Sequence, residues 1–282
     1  MPSPAVDFEI DAGHEVLLSG EQRGEGAPIV LLHGLTATRR YVVMGSSALE
    51  RSGRRVIAYD ARGHGASTPA IHRTDYGYDK LGEDLAAVLD ALQVQRAALA
   101  GASMGAHTAV RFALAHPERV AGLGLITPSF DPDVPVGPDT FLAWDALARG
   151  LREGGVEGFV HAYDFSAVPD AWRDTVEKVV RQRLAAHEHP GAVADALEVV
   201  PRSRPFEDLG ELGRIEAPVV VVASRDEADP NHPLYVGQRY AEAIPNAELV
   251  VEDAGPPVRS PLAWQGGQLS NVLIDLVEHA CA

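Results

Sequence analysis

The sequence predicts a protein of the α/β class, with a parallel β-sheet covered on both faces by helices, and three observations carry that expectation. Short runs rich in Val, Ile, Leu and Ala recur at residues 29–32, 55–59, 97–100, 122–126, 219–223 and 248–251, each the length of a strand buried on both faces. Between several of them, apolar side chains fall three and four apart, as in Leu81, Leu85, Val88, Leu89 and Leu92, or Ala106, Val110, Ala113 and Leu114. Strands that alternate with helices require parallel crossovers.

The alternation breaks after Ile126. A turn rich in proline and aspartate (128–139) leads into helical patterns only, at 141–151, 156–163, 171–184 and 191–199. Alternation resumes at Pro218, followed by an amphipathic helix between Pro233 and Pro245 and a last helix over 262–278. The expected organisation is a core of residues 1–128 and 214–282 and a helical cap over 129–213.

With 282 residues, 46% of them apolar and 23% charged, the chain is long enough for a sizeable core and has the composition of an ordinary globular protein. The 40 acidic against 24 basic side chains give a formal charge of −16, which repels phosphate backbones and anionic membrane faces, so neither nucleic acid nor membrane is expected as a partner. Cys281 is the only cysteine, which excludes an intramolecular disulfide and a cysteine-based zinc site and fits a reducing, cytoplasmic setting. Residues 1–13 show no basic patch followed by an apolar run, and no stretch reaches the roughly 18 apolar residues of a membrane span, so neither export nor anchoring is expected.

The most informative residues are Gly101, Ala102, Ser103, Met104 and Gly105, a GxSxG run directly after one apolar strand and directly before a helix. A serine on so sharp a turn takes a strained backbone conformation, tolerated only where its neighbours two residues away lack side chains, as Gly101 and Gly105 do. The turn lifts the hydroxyl to the carboxyl edge of the sheet, where the following helix aims its positive end. His33, Gly34 and Leu35 follow the strand at 29–32, so the Leu35 and Met104 amides are the expected pair of oxyanion donors. His33 and Trp144 are expected on the substrate side. Packing is the competing role for His33, and for an aromatic set of Phe141, Trp144, Phe159, Tyr163, Phe165 and Trp172.

The segments VLLHGL (30–35), YDARGHGAS (59–67) and GASMGA (101–106), in this order and spacing, resemble those of the α/β hydrolase fold family. The resemblance covers about residues 15–128 and 214–280 and implies a doubly wound, mostly parallel sheet of about eight strands with a helical cap insertion. It also implies a structural turn at 60–67, with His64 exposed. The family's acid follows a late strand, and Asp229 fits that place best, with Asp226 as runner-up and Glu227 behind it.

At the end of the chain the sequence departs from the family. After the strand at 248–251, where a glycine and the catalytic histidine usually stand, it reads Glu252, Asp253, Ala254, Gly255, Pro256, Pro257, Val258, Arg259, Ser260 and Pro261, and no histidine follows until His279. Serine is a poor nucleophile without a base. His232, in the same loop as Asp229, is the best internal replacement. His107 shares a helical face with Ser103 and is weaker, and His161, His187 and His189 in the insertion are placed to reach down into a cleft, with the surface as the more usual position of a lone cap histidine. His187 and His189 lack a third ligand at metal spacing, so no metal and no cofactor are expected.

The expected function is a serine hydrolase acting on a small, moderately apolar ester, lactone or related acyl compound, with Ser103, Asp229 and His232 as catalytic residues. Two alternatives remain open: a lyase, isomerase or cyclase step on the same anion site, or a non-catalytic ligand-binding protein. The partner is a small-molecule substrate, and a homodimer is compatible with the sequence.

Overall fold

The computed structural model describes residues 4–226, 229, 231–253 and 260–281, the side chains of Ala167, Ala280 and Cys281 excepted. Eight strands form one sheet in the order β1-β2-β4-β3-β5-β6-β7-β8. Six are the apolar runs expected from sequence: β3 (Pro28–Leu32), β4 (Arg55–Tyr59), β5 (Ala97–Ala102), β6 (Val120–Ile126), β7 (Val219–Ala223) and β8 (Ala247–Val251). These pair in parallel from β4 across to β8. The other two, β1 (Val6–Asp11) and β2 (Leu17–Arg23), extend the β4 side in antiparallel register.

Helices cover both faces. On one, α2 (Tyr78–Ala91) and α3 (Met104–Ala115) pack Leu85, Val88, Leu89, Ala106, Ala109 and Val110 against Val30, Leu32, Leu99 and Leu123. On the other, α1 (Ala48–Arg51) and α8 (Gly266–Cys281) bring Leu49, Leu269 and Leu273 onto Ile29, Leu31, Ala98 and Val220. The alternating inward faces of the strands therefore feed two cores, one on each side of the sheet.

The chain leaves β3 toward β4 on one side and returns to β5 on the other. That reversal opens a crevice between the carboxyl ends of β3 and β5, the place where open α/β sheets bind ligands.

Between β6 and β7 the chain adds α4 (Pro138–Ala162), α5 (Arg173–Leu184) and α6 (Pro190–Val199). The α4 segment breaks at Gly155 (φ 60, ψ −145), which divides it into the two helices expected from the sequence. Leu147, Ala148, Leu151, Phe159, Leu184, Val193 and Leu197 give the insertion a core of its own, and partly buried Leu35 and Trp144 pack against it. Ala192, Ala196 and Val200 pack on Met104, Ala61 and Tyr76, which seats the insertion over the carboxyl edge near β3 and β5. The helix after β7, α7 (Leu234–Ala243), returns the chain to β8. Among the described residues, no helix is long and apolar enough to cross a membrane.

Candidate active site

Ser103 stands between β5 and α3 with φ 50 and ψ −110, a region that non-glycine residues rarely enter. Its own N–H donates to the Ile126 carbonyl at 2.9 Å, and its carbonyl accepts the first helical bond from His107 N–H at 3.1 Å, so the strained residue is fixed from both sides. The flanking glycines answer to contact. A Cβ on Gly105 would lie 2.1 Å from the Leu32 carbonyl oxygen, and one on Gly101 would lie 2.2 Å from the Gly105 backbone. Backbone atoms cannot move aside as a flexible side chain does, so Gly105→Ala is expected to lower stability by about 3 kcal/mol, measured by denaturant unfolding.

Gly34 lies against this turn: a Cβ there would sit 3.3 Å from the Ala102 carbonyl oxygen and 3.6 Å from Ser103 Cβ. The loop after β3 is thereby brought beside the serine. Among the described residues, neither the Leu35 nor the Met104 amide N–H donates a hydrogen bond, and Met104 opens a helix of 12 residues whose positive end faces the same point. Ser103 is half-buried. Its Oγ makes no hydrogen bond to an imidazole among the described residues.

Asp229 and His232 meet. The imidazole Nδ1 lies 2.9 Å from Asp229 Oδ2, the Asp229 N–H donates to the Arg225 carbonyl at 3.0 Å, and the His232 N–H donates to the Asp229 carbonyl at 3.2 Å. Burial pulls the His232 pKa down, yet the charge of Asp229 and its hydrogen bond outweigh burial and leave it above the ordinary histidine value. Asp226 has different work: its Oδ1 accepts the Leu234 N–H at 2.7 Å and caps the start of α7. Glu227 lies outside the described residues, as does 254–259, the stretch in which the family's histidine would be sought.

The root of this loop is pinned by Glu252, which is buried at the end of β8. Its carboxylate accepts the Arg225 N–H at 2.6 Å and the Leu262 N–H at 3.3 Å.

Other histidines are committed elsewhere. His33, expected on the substrate side, is only 2% exposed; its Nε2 accepts the Ala61 N–H at 2.9 Å and its Nδ1–H donates to the Gly34 carbonyl, leaving no ring nitrogen for a substrate. Burial lowers its pKa to about 3. It is a brace between the loops after β3 and β4.

His107 accepts the Ser129 and Phe130 N–H groups at Nε2 and donates from Nδ1 to the Tyr78 hydroxyl. Burial and the charge of His232 hold its pKa at about 3, and both of its ring nitrogens are already engaged. His64, expected at the surface, is buried, its ring 5.1 Å from that of His33 and 5.5 Å from that of His187.

His187, expected at the surface, is also buried at 8% exposure, and with Arg183 it reaches the loop after β3. Arg183 Nη2 donates to the Leu35 carbonyl at 3.0 Å and to Thr36 Oγ1 at 2.9 Å. Among the described residues this guanidinium has no carboxylate within ion-pair distance, and its buried Nε has no partner. Burial lowers its pKa against the pull of Tyr163, Tyr41 and Asp229.

Of the aromatic set, Trp144, like Leu35, packs against the insertion's core, whereas Phe141 lies under the Arg202 guanidinium at 4.7 Å. The cavity lined by His33, Tyr59, Met104 and Thr108 holds about 10 Å³, room for one water and no acyl compound. Among the described residues, no cluster of three or more His, Cys, Asp or Glu side chains has a metal-binding arrangement.

A family model described as alpha/beta hydrolase fold matches residues 27–258. The 2-hydroxy-6-oxononadienedioate/2-hydroxy-6-oxononatrienedioate hydrolase 2 of Pseudomonas putida is 32% identical over 266 residues, covering 91% of this chain and 90% of its own. Two solved structures share the fold at 23% identity. One is a thermophilic esterase from Thermogutta terrifontis (TM-score 0.79, 98% of this chain and 100% of that one). The other is the enol-lactonase from Burkholderia xenovorans LB400 (TM-score 0.74, 95% and 99%).

Proposed function

Because the chain belongs to the α/β hydrolase family, we propose that it is a serine hydrolase cleaving a small, moderately apolar ester, lactone or related acyl compound through Ser103. The observation that carries this reading is the strained Ser103 together with the amides of Leu35 and Met104, which donate to no partner among the described residues. In this scheme the Ser103 oxygen attacks the carbonyl carbon and its proton passes to His232 Nε2. The carbonyl oxygen takes up negative charge facing the two amides. Collapse breaks the bond to the leaving alcohol, which takes the proton back, and water then releases the acyl group by the same steps. Asp229, accepting from Nδ1–H, keeps Nε2 free to receive the proton and balances the imidazolium. The helical insertion acts as the cap, with Trp144 and Leu35 forming the apolar wall.

Arg183 refines the substrate. A half-buried cation whose Nε is buried, with no ionic partner among the described residues, suits an acyl compound that carries a carboxylate, and the Pseudomonas putida relative is named for dicarboxylates. Arg183→Met is expected to lower the ratio of kcat/KM for a carboxylate-bearing ester over its neutral counterpart by about tenfold or more. The ratio cancels any effect common to both esters, and an unchanged ratio removes Arg183 from substrate recognition.

One observation favours a second reading, a non-hydrolytic step on the same anion site: Ser103 Oγ has no imidazole bonded to it among the described residues. A fluorophosphonate probe separates the two. Labelling at Ser103 that is lost in His232→Ala supports hydrolysis, and folded protein that does not label favours the alternative.

A further inference from the structure

We infer that His187 is a positioning residue: from the helical insertion it holds the turn that carries the Leu35 amide, and so sets one of the two donors for the developing anion. The inference rests on the hydrolase reading above and deepens it.

Residues 34–37 form a turn closed by the Ala37 N–H donating to the Gly34 carbonyl at 3.0 Å. Its third residue, Thr36, has φ 66, in a place where turns usually carry Gly or Asn and where a β-branched side chain is strained. Such a conformation persists only when its surroundings hold it.

The hold comes from the insertion. His187 Nε2–H donates to the Thr36 carbonyl at 3.1 Å, while Nδ1 accepts the Gly65 N–H at 2.8 Å, and the next residue repeats the attachment with Glu188 N–H donating to the Gly65 carbonyl at 2.9 Å. One imidazole therefore ties the turn after β3 to the turn after β4. Arg183 holds the neighbouring Leu35 carbonyl from the same side. With the Leu35 and Thr36 carbonyls gripped, the two peptide planes that follow the Leu35 amide are fixed, and the turn stands beside Ser103 because Gly34 rests against it.

Substitutions can separate the two arms of the ring. Glutamine places its amide nitrogen near the position of Nε2 and retains the Thr36 arm; asparagine places its oxygen near Nδ1 and retains only the Gly65 arm. With p-nitrophenyl butyrate as probe, His187→Ala and His187→Asn are expected to lower kcat about tenfold with KM within about twofold, and His187→Gln to recover most of that loss. Hydrogen exchange at the Ala37 amide is expected to speed up about tenfold in the Ala and Asn variants and much less in Gln. Equal kcat losses in Asn and Gln, or unchanged exchange at Ala37 in His187→Ala, overturn the inference and leave His187 as packing. If the unmodified protein shows no turnover that depends on Ser103, the hydrolase reading falls, and exchange at Ala37 still decides whether the clamp exists.

Discussion

Ser103→Ala is expected to reduce ester hydrolysis by at least about 10³-fold while leaving the melting transition within a few degrees of the parent. The side chain is half-buried and, among the described residues, its oxygen makes no hydrogen bond to an imidazole, so removing it leaves the fold's described bonds in place. The loss would fall on kcat rather than KM, because the bond that oxygen forms exists only along the reaction path. Steady-state kinetics with a chromogenic ester, alongside thermal unfolding, measures both. Retention of even a tenth of the activity would rule out a Ser103 acyl intermediate.

The second large effect concerns pH. In the proposed scheme His232 must be neutral to accept the serine proton, and its pKa stands above the ordinary histidine value: burial lowers it, but the charge of Asp229 and its 2.9 Å bond outweigh burial. The rate is therefore expected to rise with pH through that raised value. His232→Ala should cost about 10²- to 10⁴-fold and abolish this limb. Asp229→Asn keeps an acceptor for Nδ1–H but removes the charge, so the limb should move to lower pH. For stability, a raised folded-state pKa means that the pair's contribution is complete below the unfolded histidine value and is lost as pH rises through the folded one. A limb that stays in place in Asp229→Asn would break the assignment.

The parts of the fold legible in the sequence are those whose cause is local. Strands β3 to β7 run through the interior of the sheet and β8 closes its far edge, and the apolar runs mark all six within a few residues. Strands β1 and β2 escape the same reading because neither VDFEID nor LLSGEQR is a continuous apolar run: β1 is largely exposed at the edge, β2 buries only Leu18 and Gly20, and both gain their place by antiparallel pairing. The serine turn was legible because its backbone demands glycine at two positions. His33 occupies the expected place, but its role depends on Ala61, 28 residues away. The partners of Arg183 and His187 in the loop after β3 lie roughly 150 residues from them, and nothing near either residue distinguishes it from a helix-end side chain at the surface.

The three-residue spacing of Asp229 and His232 has a consequence for how an acid and an imidazole come together. Where such partners sit after different strands, only the completed sheet can align them. Here a single stretch of backbone makes the contact, so the pair can form before distant strands dock and remain joined through movements that would separate two loops. In the proposed scheme the rest of the molecule supplies the distance from that unit to Ser103, together with the burial that opposes the charge of Asp229 on the imidazole.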